Sequence, residues 1–507
     1  MRLAFWALAL LAVAAPAQAE WLRAESRHFT VYADNSPVEV KELATRLETL
    51  DAAMRALTGA ADTPESAANP VTVYVVDDLS DIRRLSRDPN AAGFYLPPAS
   101  GAVAFTPRRG DGGGATALTP QIVLFHEYAH HFVLSNQLAA AYPAWLSEGL
   151  AEFWSTASVD ERGVLVGHAA NHRAYSLGAA MGAPMIALFD PGKRIGWERM
   201  DQIYARGWAL THYLLLDPGR RKQLEKYVVA LNSGVPSAKA AQDSFGELPA
   251  LNRALEKYIR GKLSAFVIPK DKLPPITVDV RPLTPGERAL IDMRMVSTRG
   301  VTEKEATALY ARAAAAAKPF PNDPVAQGWL AEMAYDAKRD DDAEAAADRA
   351  LAADPRSVQA LLYKGRVHLR RAATAGTSDP GIWSEARSWV VKANRVNPNG
   401  AAALQLYYDS FRMADAKPSA SAVAGIHRAL ELAPQDPGLR FSSARQHLMD
   451  GKLAEAKRAL RPLAYHPHAP ADNPAARLLA MIDSGTAGPA ALEALAAREA
   501  KAGEGGE

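Results

Sequence analysis

The pattern of apolar and polar residues along the first part of the chain predicts alternating strands and helices. Residues 28–33 alternate as a strand, residues 38–57 have helical periodicity, and residues 71–76 form a continuous β-branched run typical of a buried strand. Two shorter apolar segments, residues 93–96 and 102–105, are predicted as strands on either side of a Pro-Pro pair. This mixture indicates an α+β domain.

Beyond residue 285 the pattern becomes Ala-rich and almost wholly helical, with a proline recurring after helix ends. The intervals between these prolines are 34, 43, 36 and 33 residues, and an insertion near residues 374–381 accounts for the longest. The prolines are Pro321, Pro355, Pro398, Pro434 and Pro467. The period resembles that of tetratricopeptide repeats, in which stacked helical pairs bury a continuous core. A plain helical bundle is the alternative.

The first residues have the pattern of an export signal. Arg2 precedes an apolar run over residues 3–15, and Ala17-Gln18-Ala19 supplies small residues for cleavage. This predicts a secretory signal peptide at residues 1–19, with an uncleaved anchor as the alternative. The rest of the sequence has no long uncharged apolar stretch, so we expect no membrane span after signal cleavage.

Composition and charge narrow the classes of function. The 507 residues are enough for two or three domains, and the formal net charge of +2 includes no block of basic residues. Nucleic acid and anionic membrane surfaces are therefore not expected partners. The absence of cysteine excludes disulfides, thiolate metal ligands and a cysteine nucleophile. An exported, Ala-rich, cysteine-free chain favours a periplasmic or secreted bacterial protein.

The candidate chemistry lies in residues 119–154, where an apolar helical pattern contains an H-E-x-x-H motif. Thr119-Pro120 suits the cap and first position of that helix. His126 and His130 are four residues apart, so both imidazoles project from one face and can share a zinc ion. Glu127 follows the first histidine and can accept a proton from a water on the metal.

A catalytic zinc site requires a third protein ligand, and the sequence offers one shortly after the motif. A second helix is predicted to begin near Ala144, and it carries Glu148 and Glu152 on one face. Glu148 is the candidate ligand. Glu152 is then placed to accept a hydrogen bond from the outer nitrogen of a ligating histidine. His131, about a quarter-turn from the histidine pair, is expected to be structural or exposed.

The H-E-x-x-H motif followed by P-A-W-L-S-E-G-L-A-E resembles the gluzincin metallopeptidases, and most closely their bacterial peptidase-MA-like domains. The resemblance implies that His126, His130 and Glu148 bind Zn²⁺. It also implies that Glu127 activates water and that Glu152 supports a ligand. Between His130 and Glu148 lie 17 residues, one fewer than is usual in zinc aminopeptidases, and no G-x-M-E-N-type segment precedes the motif. Aminopeptidase specificity is therefore not carried over, and endopeptidase action is mildly favoured.

The same resemblance suggests two further roles. In the gluzincin fold the edge strand before the zinc helix binds the substrate backbone, and residues 101–106 occupy that place in the sequence. A later apolar helix contains Tyr204, in a segment similar to one that follows the zinc site in peptidase-MA-like domains. Tyr204 is the first candidate for donating to the oxyanion, and a packing role is the competing interpretation. Further candidates are His168, His172 and Tyr175.

These observations predict an α+β zincin-like metallopeptidase domain followed by an all-α tetratricopeptide-like helical repeat domain. The expected parts are a signal peptide (1–19), the metallopeptidase domain (20–266), a Pro-rich linker (267–285), the repeats (286–485) and a flexible tail (486–507). Because the linker separates two compositions, we expect the first domain to fold without residues 286–507.

The predicted function is that of a secreted zinc-dependent peptidase, which hydrolyses peptide bonds with a zinc-activated water and with Glu127 as the general base. In this interpretation the repeats recruit a protein partner or a protein or peptide substrate. The alternative is a non-catalytic periplasmic scaffold that uses its helical repeats for binding. Retention of both histidines and both glutamates of the motif segments favours the enzyme.

Overall fold

The structure is a computed structural model. It describes residues 20–110, 113–114, 116–136, 142–190, 197–466, 469–470 and 472–504. The predicted signal peptide, residues 1–19, lies outside the described residues.

The first half of the chain mixes strands and helices. The strands are β1 (Leu22–Glu25), β2 (Phe29–Ala33), β3 (Val71–Val76), β4 (Phe94–Leu96), β5 (Val103–Pro107), β6 (Ser158–Asp160), β7 (Gly163–Val166), β8 (Phe266–Pro269) and β9 (Asp279–Pro282). The helices are α1 (Pro37–Thr58), α2 (Leu79–Ser86), α3 (Pro120–Asn136), α4 (Ala144–Ser155), α5 (Ala174–Ala179), α6 (Ile186–Phe189), α7 (Trp197–Leu216), α8 (Arg221–Asn232), α9 (Ser237–Phe245) and α10 (Leu248–Ile259). Short 3-10 turns span Asn171–Arg173 and Lys270–Lys272.

The strands form two sheets. The larger has the order β4-β5-β3-β2-β1-β9, in which β3 runs parallel to β2 and β5 and the other pairs are antiparallel. The smaller has the order β6-β7-β8. The expected α+β character of this part of the chain is confirmed.

The edge of the larger sheet differs from the prediction. β5 is an internal strand between β4 and β3, and the edge position belongs to β4, whose Tyr95 lies opposite Ala104. The expectation that residues 101–106 form the edge was therefore wrong. The turn after Leu96 reverses the chain, so β5 pairs with β3 and the earlier strand is left outside.

One face of the larger sheet packs against the helices that carry the H-E-x-x-H motif and Glu148. Its core includes side chains from β2, α1, α3, α4 and α7, among them Phe29, Leu47, Phe125 and Phe153. α4 and α7 cross at two glycines: a Cβ on Gly207 would stand 2.5 Å from the carbonyl oxygen of Trp145. Because real Cβ atoms do not approach so closely, glycine is required for α4 to lie at this depth.

The remaining helices form antiparallel hairpins. They are α11 (Pro285–Thr298), α12 (Glu303–Ala317), α13 (Pro324–Asp336), α14 (Asp340–Ala353), α15 (Val358–Thr374), α16 (Pro380–Val396), α17 (Ala401–Met413), α18 (Ala420–Leu432), α19 (Pro437–Met449), α20 (Leu453–Ala464), α21 (Pro474–Asp483) and α22 (Gly488–Glu504). Ala331, Ala343, Ala347 and Ala350 are fully buried where α13 and α14 meet. Small side chains allow this close approach, and the expected repetitive helical region is confirmed.

The second face of the larger sheet is buried against the first repeats. Tyr32 and Tyr74 of the sheet share a hydrophobic core with Leu290 of α11 and Trp329 of α13. The ring centroids of Tyr32 and Trp329 are 6.4 Å apart. One of the two faces of the larger sheet is thus buried by the repeats. The expectation that residues 20–266 fold without residues 286–507 is not supported by this packing.

Residues 267–285 are not a free linker. They contain β8, which pairs with β7, and β9, which pairs with β1 and closes the larger sheet. Pro269 and Pro282 stand at the ends of these strands, and both strands lie at sheet edges, where a missing N–H is tolerated. The prolines that suggested a connector are therefore compatible with edge strands, because an edge strand can lack one backbone N–H donor.

The predicted flexible tail also differs. α22 occupies most of residues 486–507, and its Ala491 and Leu495 are buried in the core formed by α17 to α21. Two apolar side chains four residues apart on one face explain why the helix docks. Residues 505–507 lie outside the described residues.

The array of hairpins curves back to the α+β part. Asn69 donates to the carbonyl of Leu432 at 3.2 Å, at the end of α18, and Arg461 of α20 donates to the carbonyl of Asn232. The first repeats cover the sheet, and these later ones reach the α+β part near the H-E-x-x-H helix. Within the part of the chain that the structure describes, no helix has both the length and the apolar character needed to cross a membrane.

Candidate metal centre

α3 holds the two histidines of the motif. Thr119 accepts a hydrogen bond from the N–H of Ile122 at 3.2 Å, so it caps the helix as its sequence suggests. Buried Phe125 and Phe132 anchor α3 in the core. Both histidines lie on this anchored helix and line a cavity, and the Nε2 atoms of His126 and His130 are 3.2 Å apart.

α4 brings a carboxylate to this pair. Oε2 of Glu148 lies 3.4 Å from Nε2 of His126 and 3.3 Å from Nε2 of His130, and Glu148 is fully buried. One ligand atom from each of the three residues thus forms a nearly equilateral triangle. Tetrahedral ligands held about 2.0 to 2.1 Å from a zinc ion stand about 3.3 Å apart. Two imidazoles and one carboxylate are also a donor set of catalytic zinc sites, so these residues fit the metal.

Glu152 links one ligand to a buried polar network. Its carboxylate lies 3.5 Å from Nδ1 of His126, 2.6 Å from Nε2 of His172, and 2.6 and 2.9 Å from two nitrogens of Arg173. Burial by itself would raise the pKa of Glu152. The hydrogen bond from His172 and the charges of His126 and Arg173 outweigh burial and lower the pKa to about 2. Glu152 is therefore an anion that can orient His126 through its outer nitrogen.

A cavity of about 350 Å³ opens beside the ligand triangle. Its lining includes the three candidate ligands together with Glu127 and Tyr204. Glu127 is half-buried, follows His126 on α3 and lines this cavity. A general base has to lie within hydrogen-bond reach of the attacking water, so Glu127 is the candidate for that role here.

The four tyrosine and histidine candidates for an oxyanion donor are placed very differently. Tyr204 of α7 lines the cavity, and its ring centroid is 5.9 Å from that of His126. Burial and the charge of Glu148 raise the pKa of Tyr204, so its hydroxyl keeps its proton. His172 is engaged by Glu152, His168 contacts Ser158 at 3.2 Å, and Tyr175 is 90% exposed. Tyr204 alone of these four lines the cavity.

Sequence reasoning missed Tyr95. This residue of the edge strand lines the cavity, and its hydroxyl lies 2.7 Å from Nδ1 of His131. Nε2 of His131 lies 3.3 Å from Oγ of Ser135. Burial lowers the pKa of His131 to about 3, so the ring is neutral, and burial raises the pKa of Tyr95. His131 is thus structural, which is one of the two roles predicted for it, and its hydrogen bond holds Tyr95 at the cavity.

Arg173 was also missed, and so was the contribution of the repeats. Arg173 lies beyond Glu152, with its guanidinium carbon 4.6 Å from the ring centroid of Tyr204. From the repeats, residues at the start of α19 and around the end of α20 line the cavity; they are Gln435, Pro437, Arg440, Pro462, Leu463, Tyr465 and His466. No local motif signals them, because they lie about 300 residues after the metal motif.

A second histidine–carboxylate cluster supports α3 from behind. Nδ1 of His28 lies 2.8 Å from Glu48, and Asp51 accepts hydrogen bonds from the hydroxyl of Tyr128 at 2.5 Å and from Arg55 at 2.6 Å. Tyr128 lies within the H-E-x-x-H segment. The cluster therefore ties the motif helix to α1 through charge-assisted hydrogen bonds.

The sequence matches no family model and no curated protein. Among solved structures it is similar to a thermophilic tetratricopeptide-repeat protein of Thermus thermophilus, with 22% identity and a TM-score of 0.31. That similarity covers 36% of this chain and 92% of the other. A similarity of this degree does not indicate a shared function.

Proposed function

We propose that this protein is an exported zinc-dependent peptidase. The observation that carries the proposal is the ligand triangle of His126, His130 and Glu148, with distances of 3.2 to 3.4 Å, beside Glu127 in one cavity. This convergence from two helices puts one carboxylate oxygen opposite two imidazole nitrogens, at separations that suit three ligands of one Zn²⁺. The gluzincin resemblance of the sequence supports the same conclusion.

The protein's own groups supply positioning and proton transfer. Zinc held by the three ligands would polarise a peptide carbonyl and lower the pKa of a water from about 15.7 toward 7. Glu127 accepts a proton from the attacking water and passes it to the nitrogen of the leaving amine, so the C–N bond breaks after the new C–O bond has formed. Tyr204 donates its hydroxyl hydrogen to the developing oxyanion. Glu152 holds the ring of His126 in orientation throughout.

The edge strand suggests how a substrate is held. Among the strands that the structure describes, β4 pairs only with β5, and Tyr95 and Pro97 at its end line the cavity. An extended peptide can add to the outer edge of such a strand through backbone hydrogen bonds. The substrate in this proposal is therefore an extended peptide segment. Action outside the bacterial cytoplasm rests on the predicted signal peptide.

The alternative function is a non-catalytic binding protein. Its support is the array of helical hairpins from α11 to α22, an architecture whose stacked repeats often provide surfaces for protein partners. In that case Glu127 would have no catalytic role, and its replacement would leave the binding of a protein partner unchanged.

The two functions are separated by a Glu127→Gln comparison. The purified parent and variant are loaded with zinc, the metal content is measured, and both are incubated with a peptide library whose products are read by mass spectrometry. We expect one zinc per chain in both proteins and a loss of turnover of at least ~10²- to 10⁴-fold in the variant. Equal cleavage by both would refute the assignment of Glu127, and no cleavage by the zinc-loaded parent would refute the peptidase.

A further inference from the structure

A second cavity lies where the larger sheet meets the repeats. Its volume is about 350 Å³, and its lining comes from β3, β5 and residues 98–101 on one side and from α11, α13, α15 and α17 on the other. No described residue lines both this cavity and the one beside the metal ligands. A volume of this size lies within the range of small-molecule pockets, so the second cavity is a separate candidate site.

Three charged side chains line the second cavity among the residues that the structure describes, and two of them form a pair. Arg294 and Glu332 make an ion pair at 2.5 Å, and the side-chain amide of Gln359 donates to the same carboxylate oxygen at 2.6 Å. The third charged side chain is Arg366 of α15. The lining therefore has one positive charge that no carboxylate of the lining neutralises.

The guanidinium of Arg366 is free to bind an added acceptor. Arg366 is half-buried, and it makes no hydrogen bond or ion pair with any described residue. Its three nitrogens are also absent from the set of unpartnered atoms that are shielded from solvent, so solvent reaches them. Because a guanidinium has five N–H donors in a planar fork, this group can bind a carboxylate in a bidentate arrangement.

Two carboxylates outside the lining are influenced by the charge of Arg366. They are Asp336 and Asp409; burial raises the pKa of both, that of Asp336 to about 6, and the charge of Arg366 opposes this rise. Asp409 has its own ion pair with Arg412 at 3.6 Å. Neither carboxylate makes an ion pair with Arg366, so the hydrogen-bond donors of Arg366 are left for a molecule in the cavity.

The hydroxyl of Tyr363 is a second free donor at the cavity. It makes no hydrogen bond with a described residue, and it too is absent from the shielded unpartnered atoms. Burial raises the pKa of Tyr363, so the hydroxyl keeps its proton. The guanidinium carbon of Arg366 lies 5.6 Å from the ring centroid of Tyr363, which places both donors in one part of the lining. Two neighbouring donors without acceptors are suited to an anion.

We infer that the second cavity binds a small carboxylic acid with an apolar body. Arg366 holds the carboxylate, and the hydroxyl of Tyr363 donates an additional hydrogen bond. The apolar body lies against aliphatic side chains of the lining, namely Val103, Val358 and Leu362. A volume near the lower end of the range for ligand pockets favours a small acid over a long segment of chain. The inference does not depend on the proposed peptidase function.

The test measures binding of two matched probes to the zinc-loaded full-length protein. The probes are N-acetyl-leucine and N-acetyl-leucinamide, which differ in the carboxylate alone, and equilibrium dialysis with mass spectrometry gives the bound fraction. A hydrogen-bonded contact between two charged groups is worth about 10- to 100-fold in affinity. We expect the parent to bind the acid more tightly than the amide by a factor of that size.

The variant Arg366→Met should abolish the preference for the acid. Because Arg366 makes no hydrogen bond, its replacement leaves no protein group without a partner, and the variant should fold. Tyr363→Phe removes a neutral donor and should weaken binding of the acid by about 2- to 10-fold. Arg395→Met is the matched control, because Arg395 is an exposed repeat arginine that likewise makes no hydrogen bond or ion pair with a described residue and lines neither cavity.

Three results would overturn the inference. The first is equal binding of acid and amide by the parent, and the second is no saturable binding of the acid. The third is a preference for the acid that persists in Arg366→Met, which would mean that the carboxylate binds elsewhere, for example at the metal ligands. If circular dichroism shows that Arg366→Met does not fold, Arg366→Lys and Tyr363→Phe replace it. Acid binding as tight as that of the parent in both of these variants would overturn the inference, and weaker binding in both would support it.

Discussion

Replacing Glu152 by Gln should weaken zinc binding without removing a metal ligand. Glu152 contacts His126 at 3.5 Å, His172 at 2.6 Å and Arg173 at 2.6 Å. Gln keeps the size of the side chain and one acceptor oxygen but loses the charge. It cannot accept from all three neighbours, so the ring of His126 is held less firmly.

The size of the effect follows from the role of such carboxylates. Loss of a group that orients a ligating histidine typically costs 10- to 100-fold in metal affinity, which corresponds to about 1.4 to 2.8 kcal/mol. The retained fold and the three ligands should keep the stoichiometry at one zinc per chain at saturation. The expected result is therefore a higher dissociation constant with the same number of sites.

The assay is a competition for zinc between the protein and a chelator of known affinity. The absorbance of the chelator reports how much zinc it has bound. Glu161→Gln is the matched control, because Glu161 is an exposed glutamate on the same part of the chain. Circular dichroism confirms that both variants are folded. An affinity of Glu152→Gln equal to that of the parent and the control would refute the view that Glu152 orients the metal ligand.

Three further predictions concern the ligands and the packing around them. His130→Ala should reduce bound zinc to near background, measured by metal analysis of the purified protein. Trp329→Ala should lower the free energy of unfolding by about 3 to 5 kcal/mol. Urea should release added zinc in the same transition, because Trp329 covers the sheet against which α3 and α4 pack. Gly207→Ala should lower the free energy of unfolding by about 1 to 3 kcal/mol or prevent folding, because its Cβ would stand 2.5 Å from the carbonyl oxygen of Trp145. Denaturant unfolding measures this loss of stability.

Each of these variants has a control elsewhere in the chain. His168→Ala removes an exposed histidine and should leave the zinc content unchanged. Ile382→Ala removes a repeat side chain that is 45% exposed and should change stability by less than about 0.5 kcal/mol. Gly178→Ala introduces a Cβ with no atom within 4 Å and should be tolerated. Zinc release from Trp329→Ala well after loss of the helical repeats would show that the two parts fold independently.

The sequence by itself determined the local features of this protein. Helical spacing is enough to put His126 and His130 on one face, because four residues span about one turn. The same spacing puts Glu148 and Glu152 on one face of α4, which begins at Ala144 as predicted. The change from mixed strands to Ala-rich helices, and the near-regular spacing of prolines, likewise predicted an α+β part followed by repeated helical hairpins. All of these follow from periodicity within a short stretch of chain.

Only the tertiary structure decided how these parts meet. The edge strand is β4, residues 267–285 add a strand to each sheet, and the repeats cover one face of the larger sheet. The tertiary structure likewise decided that Tyr95 and Arg440 line the cavity. Local spacing carries no information about pairing between residues hundreds of positions apart. Such contacts depend on which surfaces fit together when the whole chain packs. Here that packing makes residues of the repeats line the same cavity as His126, His130 and Glu148.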